Sequence, residues 1–408
     1  MRVNFVGNRY SGSYIYRCFN PINNSKHDCR GDIDVYTEMP MPREDIKDTD
    51  VAIFHKARDN GRLQMVRLLK QKGIITGYDG DDTFHFQESH PANQEPLGNS
   101  EDIIKEVDFV TASTQMLVEE YSKYNDNVHL VPNLLDFSLY PEPAPVTDRK
   151  ERILITGSVL WCSDGISFKD TLERLAEKYQ IVIFGNYQEM GQISKAEYHE
   201  FVSPIDYPEK LKELDIDLCV IPREENYFNK CKSNCKYLEM SALKIPVVAQ
   251  SFSSKDGPYD LTSQEGAPII LAGNWEERIE EALNHKEELA ESNYQWVKEN
   301  YDAKQNIFDK VIDSLHKKET PVITSKKANI KGEVKAYTAI TGNYDQPRSD
   351  ITCFTEYNGF KRDVMNAKIY KILSHLYIDE PYSVWVDGNI ELLIDPKELA
   401  ERWLAGAD

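Results

Sequence analysis

The sequence predicts an α/β protein in which two Rossmann-like, parallel-sheet halves face a cleft, followed by a partial α/β segment at the C-terminal end. Three observations predict it. Short apolar runs alternate with helical patterns from the start; this rhythm stops at a stretch rich in proline and acid and then restarts; and it begins a third time after a basic, threonine-rich stretch. The chain's 408 residues also exceed one ordinary core, so two or three domains are expected.

The first half, residues 1–140, opens on the apolar runs VNFVG, IDVY and VAIFH. A helix follows over about 62–70, then IITGYD, a helix before Val107, the run DFVTAS, a helix over about 115–124, and VHLVPN. YPEPAPVTDRKE, at 140–151, reads as a linker. The second half, 151–315, repeats the pattern with RILITGS, a helix over 168–178, IVIFGN, a helix near 209–214, DIDLCVIP, a helix over about 232–243, and IPVVAQ. From 274 to about 317 the chain is helical and highly charged, and HKKETPVITSKKANIKGE, 316–333, is a second linker. The third segment, 334–408, contains VKAYTAI, DITCFTEY, a helix over about 364–375, and YSVWVDGNIEL. Doubly wound sheets bind ligands at the carboxyl ends of their strands, so the loops after these runs are where chemistry is sought.

Composition narrows the function. Hydrophobic residues make up 40% and charged residues 28%, as in soluble globular proteins. Lys plus Arg number 48 against 68 Asp plus Glu, a net charge of -20 that repels phosphate backbones and anionic membranes, so nucleic acid is a poor first partner. The seven cysteines are scattered and odd in number, as expected of free thiols in a reducing compartment, and the predicted location is cytoplasmic. MRVNFVGNRYSGSYIYRCFN lacks the apolar core of a signal peptide, and no window approaches the roughly 20 apolar residues of a membrane span.

The most specific stretch is YFNKCKSNCKYLEMSALKIPVVAQS, 227–251. At helical spacing Lys232, Lys236 and Glu239 share a face. Two cations beside the free N–H groups of a helix start suit a diphosphate, and a carboxylate one turn on suits a ribose diol. A surface helix laced by charge pairs is the competing reading of the same residues. In the first half, Asp79-Gly80-Asp81-Asp82 ends a strand, where Asp81 is a candidate base or acceptor-orienting group and a solvated turn is the alternative. His55 and His85 also stand near strand ends, as catalytic candidates or as structural histidines.

The 227–251 stretch resembles the donor-binding helix of retaining GT-B glycosyltransferases, one subgroup of which carries an aromatic residue, a Lys-Ser pair, a second Lys, Leu-Glu and an apolar I-P-V-V strand. The resemblance extends to DFVTASTQMLVEEY, VHLVPNLLD and RILITGS, and covers about residues 1–315. It implies that Lys232, Ser233 and Lys236 meet the donor diphosphate, that Glu239 meets the ribose, and that Gly157 and Ser158 let backbone approach the phosphates. It places the Asp79–Asp82 stretch on the acceptor side, and it implies no cofactor for this part. The commoner family pattern has a second Glu eight positions before Glu239, where this chain has Cys231.

The third segment has a different likeness. YTAITGNYD at 337–345, CFT at 353–355, NAKIYK at 366–371, His375 and WVDGN at 385–389 resemble a GT-A-type glycosyltransferase family known from plant cell-wall and mucilage biology and from bacteria. In GT-A enzymes a D-x-D strand end binds a divalent cation, so the resemblance implies a Mn or Mg site at Asp387 and Asn389, with the second acid replaced by an amide. Read without the family, DGN is a common turn. That family's domain continues past this strand, which implies a longer protein with two transferases in tandem.

These readings predict a glycosyltransferase that moves a hexosyl or pentosyl group from a nucleoside-diphosphate sugar to a glycan or polymer-precursor acceptor. Two alternatives remain open: a phage transferase acting on modified DNA bases, and a non-catalytic scaffold that binds nucleotide sugars or glycans.

Overall fold

The computed structural model describes residues 1–7, 12–33, 49–84, 99–142, 149–157, 163–185, 192–315, 331–341, 347–359, 361, 363–387 and 394–403. The chain forms two compact units, Met1–Lys318 and Glu319–Asp408.

The first half of the larger unit is a sheet of six strands: β1 (Arg2–Gly7), β2 (Asp28–Ile33), β3 (Val51–His55), β4 (Ile75–Gly80), β5 (Phe109–Ala112) and β6 (Val128–Leu130). They lie in the order β2-β1-β3-β4-β5-β6, and every pairing is parallel. β3, β4 and β5 are buried along their whole length, which is why they read as continuous apolar runs rather than alternating ones. The strand expected at IDVY lies earlier, at β2, and residues 34–36 of that run fall outside the described residues. Side chains set the helix starts. Asp59 accepts from the Arg62 amide at 2.9 Å to begin the Asn60–Gln71 helix, and Thr114 caps Gln115–Tyr121 through the Leu117 amide.

The second half repeats the plan with β7 (Arg152–Gly157), β8 (Gln180–Gly185), β9 (Glu197–His199), β10 (Leu218–Ile221), β11 (Val247–Gln250) and β12 (Ile270–Ala272). Their order, β12-β11-β10-β7-β8-β9, reverses direction at β7. Loops on either side of such a reversal diverge and leave a crevice at the carboxyl ends of the strands, here between β7 and β10. Gly185 ends β8 at φ +130°, and a Cβ there would strike the Gly157 carbonyl, so glycine lets the two strand ends lie side by side.

The boundary between the halves departs from expectation. The sequence predicts that 151–315 is one half, but the chain crosses back near its end. Leu135 and Asp302 form an isolated bridge, and the Ile307–Ser314 helix then packs Phe308, Val311 and Ile312 among Val3, Phe5 and Val51 of the first half. Asn306 at φ 51° starts this helix and accepts from the Asp309 amide, while Asp309 accepts from the Lys26 amide at 2.9 Å. An amphipathic helix is stable only against an apolar partner, and the vacant one here is the face of β1 and β3.

The smaller unit is a three-stranded parallel sheet, with β13 (Val334–Ala339) between β14 (Thr352–Phe354) and β15 (Tyr382–Trp385). Its core is small and largely aromatic: Tyr370 of the Asp363–Ile372 helix stacks on Phe354 at 4.6 Å, with Ala339 and Ala367 beneath.

The returning helix gives a direct test. Phe308 is buried with its ring 5.2 Å from that of Phe5, so Phe308→Ala is expected to lower the urea unfolding free energy of the first half by about 3–5 kcal/mol.

Candidate functional site

One pocket of the larger unit takes residues from both halves. The first half contributes Gly12, Ile15 and Tyr16; the connection contributes Leu139 and Tyr140; the second half contributes Thr156, Gly157, Phe201, Pro204, Ile205, Tyr207, Lys236 and Glu239. Thr156 and Gly157 end β7, so the pocket opens at the crevice that the strand order dictates. Phe201 and Ile205 stay 49% and 54% exposed at its lip. Apolar side chains left in water at the lip of a pocket are a common feature of ligand-binding surfaces.

Lys236 and Glu239 stand on the Cys235–Ala242 helix, three residues apart and on one face. The helix predicted over 232–243 is interrupted. A short helix, Tyr227–Lys230, is capped by the Asn226 side chain and ends at Cys231, and the next begins only after Asn234. Lys232 and Ser233 therefore lie in the turn between the two helices and not on the face of Lys236 and Glu239. The Glu239 carboxylate accepts from the Tyr16 hydroxyl of the opposite half. Burial raises the Glu239 pKa, and the Lys236 charge and the Tyr16 hydrogen bond pull it back only in part.

The turn is tied to the first half throughout. Lys232 forms an ion pair with Asp82, Thr114 Oγ1 donates to the Cys231 carbonyl at 3.0 Å, and Asn133 Nδ2 donates to Ser233 Oγ at 3.0 Å. Tyr227 donates to Glu120 at 3.0 Å. Cys231 is fully buried in the core of the first half. Burial, reinforced by Glu120, pushes its thiol up to about 12, so it serves as packing and not as a contact to a ligand.

The first half also holds a buried polar network that sequence reasoning does not identify. Asp79 at the end of β4 accepts from Arg17 Nε at 3.1 Å, from Thr111 Oγ1 at 2.6 Å, and faces His55 Nδ1 at 2.8 Å. Arg17 also donates to Asn133 Oδ1 at 3.1 Å, and Ser13 Oγ lies 3.1 Å from His55 Nε2. Burial alone would raise the Asp79 pKa. The Arg17 charge and the hydrogen bonds from His55 and Arg17 outweigh it and hold the carboxyl well below the usual range. Arg17 sits in a π-helical turn, Ile15–Phe19, within a stretch that the sequence shows only as polar and aromatic.

Of the other predicted groups, Asp81 lies 3.2 Å from Lys56, and His55 is buried with Asp79. His85, Ser158 and Asn389 lie outside the described residues. In the smaller unit, Asp387 Oδ1 accepts from the Trp385 indole at 2.6 Å and stands 3.8 Å from Lys371 Nζ. Among the described residues no group of three His, Cys, Asp or Glu side chains that could hold a metal ion is found.

Comparison with known proteins agrees with this architecture. Residues 353–408 match the family model described as TOD1/MUCI70, glycosyltransferase-like domain. No curated protein sequence matches the chain. Among solved structures, an alpha-glucosyltransferase in complex with UDP-glucose and DNA containing an abasic site is 11% identical with a TM-score of 0.54, over 77% of this chain and 98% of that one. Anabaena Alr3699/HepE, in complex with UDP and glucose, is 11% identical with a TM-score of 0.53, over 77% and 100%. TarM is 13% identical with a TM-score of 0.47 over 64% of this chain, which spans only about half, 54%, of TarM. At these identities the likeness is one of fold: the larger unit has the GT-B architecture, two parallel-sheet halves around a cleft.

The Arg17–Asp79 pair yields a prediction. Arg17→Met leaves a buried carboxylate without its cation and is expected to cost about 3–5 kcal/mol in urea unfolding, of which Arg17→Met with Asp79→Asn restores a large part.

Proposed function

We propose that the larger unit is a glycosyltransferase that binds a nucleoside-diphosphate sugar in the cleft and transfers its hexosyl or pentosyl group to a glycan or polymer-precursor acceptor. The observation that carries this reading is the pocket, where Lys236 and Glu239 on one helix face, the β7 end at Thr156 and Gly157, and an aromatic wall line a single space. Each part has a task. The aromatic side chains of Tyr140, Tyr207 and Phe201 offer faces for a nucleobase. Glu239, oriented by Tyr16, accepts from a ribose diol.

In the reaction the bond from the anomeric carbon to the diphosphate oxygen breaks and the diphosphate leaves with the electron pair, while an acceptor hydroxyl oxygen forms the new bond to that carbon and gives up its proton to the departing diphosphate. Lys236 and the amides that open the Cys235–Ala242 helix are positioned to stabilise that growing charge. The acceptor side is the first half, where Asp81 and Asp82 follow β4 and His55 is held by Asp79. A net charge of -20 favours a carbohydrate acceptor over DNA. The six described cysteines are all free, which supports a reducing, cytoplasmic setting, and no described helix is long and apolar enough to cross a membrane.

Glu239 allows a two-sided test. A carboxylate whose pKa is raised by folding costs stability as pH rises from its unfolded value, 4.5, through its folded value. Glu239→Gln is therefore expected to raise Tm at pH 7, with the gain vanishing below pH 4.5, and at the same time to shrink the stabilisation by nucleotide sugars in a thermal-shift panel. Lys236→Ala should shrink that stabilisation as well. A panel in which no nucleotide sugar shifts the wild-type protein contradicts the reading.

A further inference from the structure

We propose that Asp82 is a built-in competitor for the donor: it holds Lys232 across the cleft until the donor diphosphate displaces it. This rests on the cleft being a donor site.

Lys232 belongs to the second half and Asp82 to the first, so their ion pair ties the two halves, four residues before Lys236 of the pocket. The side chains are only 26% and 19% exposed, so water and salt weaken the pair less than they weaken a surface pair. The Phe228 ring, 4.2 Å from Lys232 Nζ, supports the ammonium from the other side.

The tie can be released without stranding a charge. Asp82 also takes Lys56, and Lys56 lies 3.2 Å from Asp81. When Lys232 leaves, Asp82 therefore keeps a cation. Lys56 is held at φ 50°, a left-handed conformation that a non-glycine residue keeps only where its surroundings impose it, and its amide is fixed by the Asp79 carbonyl at 2.9 Å. The first half thus carries a self-sufficient Lys56–Asp81–Asp82 cluster to which Lys232 is an addition.

A diphosphate is the stronger partner for Lys232. It brings more negative charge than one carboxylate, and it arrives next to the opening amides of the Cys235–Ala242 helix. The other ties of this stretch, Asn133 to Ser233, Thr114 to Cys231 and Tyr227 to Glu120, do not involve the Lys232 side chain. Donor entry thus exchanges one anion for another at Lys232 and frees Asp82 on the acceptor side.

The test is calorimetric titration of the full chain with inorganic pyrophosphate and with UDP. Asp82→Asn keeps the side-chain size and the Lys56–Asp81 pair, and it is expected to bind both probes roughly tenfold more tightly than wild type, about the effect of one charge-assisted hydrogen bond. Adding Lys232→Met should abolish that gain. Asp82→Ala serves the same purpose if the Asn variant does not fold. Binding by wild type with an unchanged or weaker affinity in both Asp82 variants overturns the competition and leaves the donor site standing. No binding of either probe by wild type or variants overturns both.

Discussion

The Asp79 carboxylate, buried at the end of β4 and paired with Arg17, is the constraint on which the cleft depends. A charge removed from water must be met by a full set of donors, and Arg17, Thr111 and His55 supply them from three separate elements of the first half. Arg17 extends the network to Asn133, and Asn133 reaches Ser233 and Cys235 at the start of the helix that carries Lys236 and Glu239. An unbroken line of hydrogen bonds therefore runs from one half to the pocket-lining helix of the other. Such a network tolerates little displacement, because each missing partner leaves a buried polar group unsatisfied.

Around it, two uses of the same topology meet. Each sheet reverses its strand order once, and each reversal opens a crevice at the strand ends. The second half lines its crevice with Thr156, Gly157 and the Lys236 helix; the first half brings an acidic strand end and a buried histidine. Both halves wall a single pocket at their junction. The returning Ile307–Ser314 helix anchors the end of the second half on the first.

Much of this was legible in the sequence. The runs at β3, β4, β7, β8, β10 and β11 are apolar because parallel strands are covered on both faces, and they were placed correctly. Lys236 and Glu239 were legible because their spacing lies within one helix. What escaped depends on contacts far apart in the chain. Arg17 meets Asp79 across 62 residues and Tyr16 meets Glu239 across 223, and neither has a local pattern. The grouping of Lys232 with Lys236 failed for a local reason, since the backbone turns at 231–234 and redirects Lys232 to Asp82. The return of the last helix was hidden because an amphipathic face does not say which sheet it covers.

The central claim is that the helix bearing Lys236 and Glu239 receives a nucleoside diphosphate. Calorimetric titration with matched nucleoside mono- and diphosphates of several bases tests it most directly. The account predicts that at least one diphosphate binds about tenfold or more tightly than its monophosphate, and that Lys236→Ala removes the difference. Equal binding of the two forms, or a diphosphate preference that survives Lys236→Ala intact, would contradict it.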